Sequence, residues 1–110
     1  MSNTATARAL TTLLAKLAKG EVVSPVASRK MVDILLEQTH RDCLPALLPS
    51  EAKVANKPGW NDGICHDAGI VYPPNRAPYV LSVLTEGAAS HEEAVRLIGE
   101  ISKVVYEGAR

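Results

Sequence analysis

Leucines recur at positions 10, 13, 14 and 17, the spacing that places side chains on one face of an α-helix, and Gly20 follows as a C-terminal stop. The pattern predicts an amphipathic helix from about Thr4 to Lys19. Ser24-Pro25 then offers an N-cap followed by proline at the first helical position, where the missing N–H would have had no partner. A second helix is predicted from there to about Gln38, burying Ala27, Met31, Ile34 and Leu35. Near the other end, Ser90-His91-Glu92-Glu93 reads as a capping box, the serine accepting from a backbone N–H while Glu93 reaches back. Behind it Ala94, Leu97, Ile98, Ile101, Val104 and Val105 form an apolar face, so a third helix extends close to Tyr106.

Between the second and third helices the character changes. Prolines stand at 45, 49, 58, 73, 74 and 78, and short apolar runs replace helical spacing. Strands are predicted at 53–57, at 65–72 and from Tyr79 to Thr85. The Trp60-Asn61-Asp62-Gly63 link favours the positive φ of a hairpin turn, and Pro73-Pro74-Asn75-Arg76-Ala77 makes a short loop. Residues 39–52 show no period and read as a loop with a short helical turn. The order helix, helix, strand, strand, strand, helix defines an α+β fold in which helices pack on a three-stranded antiparallel meander. Its last strand is apolar and carries no proline or interior charge to discourage pairing, so its outer edge calls for a cover.

Composition narrows the function classes. The 110 residues are 46% hydrophobic, and 12 basic residues balance 12 acidic ones, which describes one ordinary domain over 1–110 with a core of its own. Zero net charge and dispersed basic residues argue against nucleic acid or an anionic membrane surface as partner. No apolar run approaches a membrane span, and the polar start lacks the pattern of a signal peptide. Cys43 and Cys65 form no CxxC, so neither a zinc framework nor a redox dithiol motif is present. A disulfide between them is geometrically conceivable; two reduced thiols, one or both buried, is the favoured reading.

Few residues look chemical. In Cys65-His66-Asp67 the pleat sends His66 to one face and its two neighbours to the other, so the three cannot form a metal site or a Cys-His dyad alone. His91-Glu92-Glu93 lacks the second histidine of a zinc helix, and its carboxylates suit the helix N-terminus. His40 and Arg41 suit the negative end of the helix they follow. Lys57-Pro58-Gly59-Trp60 differs: a glycine beside a strand-end lysine permits close ligand approach, and the next N–H is available to an oxyanion. The plain alternative is a solvated strand lysine and a turn glycine.

The sequel to that segment shifts the balance toward a ligand-facing strand. Lys57-Pro58-Gly59, then His66-Asp67-Ala68-Gly69-Ile70-Val71-Tyr72, then Arg76-Ala77-Pro78-Tyr79-Val80-Leu81-Ser82-Val83-Leu84-Thr85, resembles the last three strands of class A β-lactamases and their penicillin-recognising serine hydrolase relatives, which carry a K-T-G strand at the active site. Thr4 to Leu10 with Leu13-Leu14, and Gly20-Glu21 with the segment 22–25, resemble the two helices that precede it, and 91–108 the C-terminal helix. The resemblance covers nearly the whole chain but only the C-terminal part of the family's fold. It implies a hydrolase whose members are usually exported, with no cofactor and no metal. It assigns Lys57 to the substrate carboxylate, Gly59 to close substrate approach, the Trp60 N–H to half of an oxyanion hole, and His66 to the place of a strand arginine, a role it fills only when protonated. Pro58 replaces a hydroxyl residue that contacts that carboxylate. No S-x-x-K motif stands in a suitable place, and the S-D-N-type motif and the acidic loop residue are missing. The expected partners are therefore a β-lactam or peptide-like small molecule once a missing N-terminal half is supplied, or a second copy through Tyr79 to Thr85. The other reading is a non-catalytic α+β binding or self-assembly module.

Overall fold

The computed structural model describes residues 6–61 and 63–108. Helices α1 (Ala7–Ala18) and α2 (Pro25–Leu36) lead into strands β1 (Lys53–Asn61), β2 (Ile64–Tyr72) and β3 (Tyr79–Glu86), and α3 (His91–Gly108) closes the chain. The strands form an antiparallel sheet in the order β1-β2-β3, with Lys57 opposite Ala68, Gly59 opposite His66, and Ala68 in turn opposite Ser82. This is the α+β meander expected from the pattern.

The helix ends follow the local chemistry. Thr6 caps α1, its hydroxyl accepting from the Ala9 N–H at 3.0 Å, so the helix begins there. The expected start at Thr4 lies outside the described residues. At the other end Gly20, at φ +76°, donates to Leu17 C=O while the Glu21 N–H reaches Lys16 C=O, the paired bonds that satisfy a helix's last carbonyls. Ser24 caps α2 through the Ala27 N–H at 3.0 Å. Ser90 accepts from the Glu93 N–H at 3.1 Å, but among the described residues the exposed Glu93 carboxylate makes no return bond, so only half the box forms.

Strand β1 runs four residues past its expected end and passes through Pro58. It can do so because β1 is an edge. Gly63, at φ +70°, leads into β2, and Asp62 of the expected hairpin link lies outside the described residues.

The sheet separates two cores. On one face α3 lays Ala94 and Ile98 on Val54, Cys65 and Val71, joined by Cys43 and Leu44 from the connection before β1. On the other, α1 and α2 place Leu14, Leu17 and Val32 on Ala55, Ala68 and Ile70. Periodicity located the helix faces but overstated their burial. Ile34 of α2 is 70% exposed, and Ser28 and Val32, one helical turn apart, face inward instead. Leu13 of α1 is 53% exposed, and on α3 Leu97 and Val104 stay open while Gly99 and Ser102 are buried. Gly99 lets the connection come close, since a Cβ there would stand 3.4 Å from Cys43 C=O, and the Ser102 hydroxyl donates to Leu44 C=O at 2.7 Å.

The 39–52 segment is a loop of turns, as its lack of period implies, but part of it enters the core. It makes turns, Ala46 N–H to Cys43 C=O and Leu48 N–H to Pro45 C=O, while Cys43 and Leu44 are wholly buried. Its anchor is Asp67, fully buried on β2, whose carboxylate accepts from the Leu44 N–H and from Asn56 Nδ2, each at 3.0 Å. Burial pushes the Asp67 carboxyl above its ordinary value, and those two donors pull it back.

Candidate functional site

The pleat and the register assemble the site. Lys57, Gly59 and His66 all lie on the α1/α2 face of the sheet, Gly59 directly across from His66. The His66 ring lies over the Gly59 backbone: a Cβ at Gly59 would come 2.8 Å from His66 Nε2. The first demand on this glycine therefore comes from its own cross-strand neighbour. A second glycine, Gly69, serves strand approach, because a Cβ there would stand 2.8 Å from Ala55 C=O.

The backbone of β1 presents every second residue to the open edge, since N–H and C=O of one residue point the same way and neighbours alternate. Three observations fix the phase. Pro58 has no N–H and interrupts nothing. The Val54 carbonyl accepts from Arg41 Nη1 at 3.2 Å, and the Pro58 carbonyl from Lys57 Nζ at 2.7 Å, so both face away from β2. Trp60, two residues further on, then turns its N–H to the same open edge. By the same alternation Val80, Ser82 and Leu84 present their N–H and C=O groups to the free edge of β3, in agreement with the Gly87 N–H bonding Gly63 C=O at the hairpin end.

The Trp60 side chain takes the other face. Its indole makes an edge contact with His40, centroids 5.1 Å apart, and a tilted one with His91 at 5.5 Å. Beside Lys57 and His66 opens a groove of about 550 Å³ walled by aliphatic side chains of α1 and α2, including Leu10, Leu13, Met31 and Ile34. Among the described residues no carboxylate lines it. The apolar wall with one ammonium and one imidazole at its side favours a ligand with an anionic group and an apolar body.

The structure brings Lys57, Gly59, His66 and the Trp60 backbone to one end of β1. Ser50 and Lys53 have the spacing of S-x-x-K, but both side chains are exposed on the turn into β1, four residues from Lys57. Among the described residues no three of His, Cys, Asp and Glu cluster as metal ligands, and no helix is long and apolar enough to cross a membrane. The buried Asp67-Asn56 pair behind the site escaped sequence reading. Its signal was there: an acid and an amide on strands, both on the face that α3 covers.

A three-stranded antiparallel meander with helices on both faces defines the class of the fold as α+β. The family model of the beta-lactamase enzyme family matches residues 1–109. The chain is 33% identical over 112 residues to a beta-lactamase of Streptomyces albus G, covering 97% of this chain and 35% of that protein. It is 32% identical to the carbapenem-hydrolyzing beta-lactamase KPC of Klebsiella oxytoca, covering 96% of this chain and 38% of that one. Among solved structures, PBP-A superposes with a TM-score of 0.86 at 32% identity, covering 92% of this chain and 38% of that one. The beta-lactamase of Sphaerobacter thermophilus, 20% identical, shares the fold with a TM-score of 0.87. The chain belongs to the beta-lactamase enzyme family. It spans a little over a third of the length of the curated relatives it matches, as a partial class A β-lactamase-like domain.

Proposed function

We propose that this chain supplies the substrate-binding wall of a β-lactamase-like serine hydrolase and is inactive until a second segment brings the nucleophile. Lys57 attracts the substrate carboxylate, the Gly59 backbone lies along the substrate, and the Trp60 N–H serves as one of two oxyanion donors, the other coming with the nucleophile. His66, when protonated, adds a second cation. The observation that carries this reading is the convergence of Lys57, Gly59 and His66 on one face of β1 and β2, beside an edge that offers the Trp60 N–H. Pro58 supplies no hydroxyl, so carboxylate recognition falls on Lys57 and His66 alone. The substrate class is a β-lactam or a related acyl peptide. PBP-A, of similar fold, has been solved as an acyl-enzyme with penicillin G in a variant form.

The test is complementation. The chain is mixed with the N-terminal portion of the Streptomyces albus G relative and treated with a fluorescent penicillin. Acylation of the partner serine in the mixture, with neither chain alone labelled, is expected, and Lys57→Ala reduces the labelling rate about 100-fold. Labelling of this chain alone overturns the account, as does a stable complex that never labels.

The open edge of β3 supports a second reading, a self-assembly module in which two copies pair through Tyr79 to Thr85. A concentration-dependent dimer in sedimentation is its expected sign, and a monomer throughout the micromolar range excludes it.

A further inference from the structure

The chain has two cysteines, and both are buried in the same core, 1% and 3% exposed. Sequence separation does not explain their meeting; the Asp67 anchor does. Cys43 precedes Leu44, whose N–H stands 3.0 Å from Asp67 Oδ2, and Cys65 lies two residues before Asp67 on the same face of β2, a step of about 7 Å. Both thiols thus point into the space between the connection, β2 and α3. We propose that Cys43 and Cys65 are a convertible thiol pair that closes to an intramolecular disulfide and staples the connection before β1 to the central strand.

The step is thiol–disulfide exchange with a small-molecule disulfide. One cysteine thiolate attacks it and expels a thiolate, and the second cysteine attacks the mixed disulfide and expels the other. Two protein thiols become one disulfide, and one small disulfide becomes two thiols. Burial, reinforced by the neighbouring Asp67, holds the Cys43 thiol far above its ordinary value, and burial raises Cys65 as well. Exchange in the native chain therefore requires opening of the connection, and a bond formed during folding is shielded afterwards. Trp60 pairs with Cys65 across the strands and touches His40 of the stapled connection, so the bond stiffens the backing of the site strand.

The test begins with the reduced, unfolded chain, refolded in oxidised and reduced glutathione. The expected product is a monomer lighter by two hydrogens. Its unreduced tryptic digest joins peptide 42–53 to peptide 54–76, the Lys57–Pro58 bond resisting cleavage. Its thermal midpoint lies roughly 10 °C above that of the reduced chain, given the 22-position interval closed. The same cross-link forms more slowly when the native chain is incubated in that buffer, an arm that needs no refolding. Cys43→Ser abolishes it in both arms. Recovery of two alkylatable thiols, glutathione adducts without the joined peptide, a cross-linked dimer, or a lowered midpoint overturns the proposal.

Discussion

The two faces of the sheet are built to different standards. Under α3 the core is closed: Ile98, Leu44 and Val71 are fully buried, and Asp67, Asn56 and Ser102 enter it with partners, while the Tyr79 hydroxyl at its margin is buried without one. Under α1 and α2 the floor is equally apolar, but Leu13 and Ile34 stand in solvent around an open groove. Lys57, Gly59 and His66 belong to the open face. The side chains proposed to bind substrate occupy the side where packing is unfinished, and the finished side holds the strand that carries them. The Streptomyces albus G relative is nearly three times as long as this chain.

This contrast is exposed to direct attack. Ile98→Ala empties a filled site and is expected to cost about 3 kcal/mol in urea unfolding, whereas Ile34→Ala, on the open face, costs about 0.5 kcal/mol or less. Equal losses would erase the distinction. Asp67→Ala leaves the Leu44 N–H and the Asn56 amide unsatisfied in the interior, at about 2–3 kcal/mol. Asp67 also gives the finished face a pH signature. Its carboxyl is raised in the folded chain, so its stabilising contribution is complete below the ordinary value of 3.8 and declines as pH rises toward the folded-state value. The stability gap between the native chain and Asp67→Asn should therefore narrow from pH 3 upward, and a gap that widens contradicts the burial argument.

At the site, Gly59→Ala forces the His66 ring aside and should slow penicillin labelling of the complemented mixture about tenfold, with little change in unfolding midpoint. A midpoint loss as large as that of Ile98→Ala would mean that Gly59 serves the fold. The smallest effect concerns Val23, which sits at φ +64° in the α1–α2 turn, 89% exposed, where its Ser24 neighbour bonds back to Val22. Val23→Gly relieves a conformation unfavourable to a branched side chain and should add about 0.5–1 kcal/mol.

Much of this was legible in the order of residues. Gly20, Ser24 and Ser90 marked helix boundaries because capping depends on a few neighbouring atoms. The pleat alone separated His66 from Cys65 and Asp67. Depth was not legible. Leu13 and Ile34 obey the same period as Leu14 and Leu17, and only the tilt of each helix on the sheet decides which are covered. Burial of the cysteines was expected from residue type alone, but Leu44 gave no sign, because a segment without regular structure entered the core, held by the Asp67 carboxylate 23 positions from Leu44. At the site the K-x-G spacing pointed to the strand, but that Gly59 is packed by His66, and that the Trp60 ring leaves for the opposite face, required the register.

The claim that one face is finished and the other awaits its cover is tested most directly by hydrogen exchange on this chain, alone and mixed with the N-terminal portion of the Streptomyces albus G relative. The expected result is protection gained at α1, at α2 and at the edge amides of Val80, Ser82 and Leu84, with α3 unchanged. Protection gained on α3, or none gained anywhere while the two chains sediment together, would contradict it.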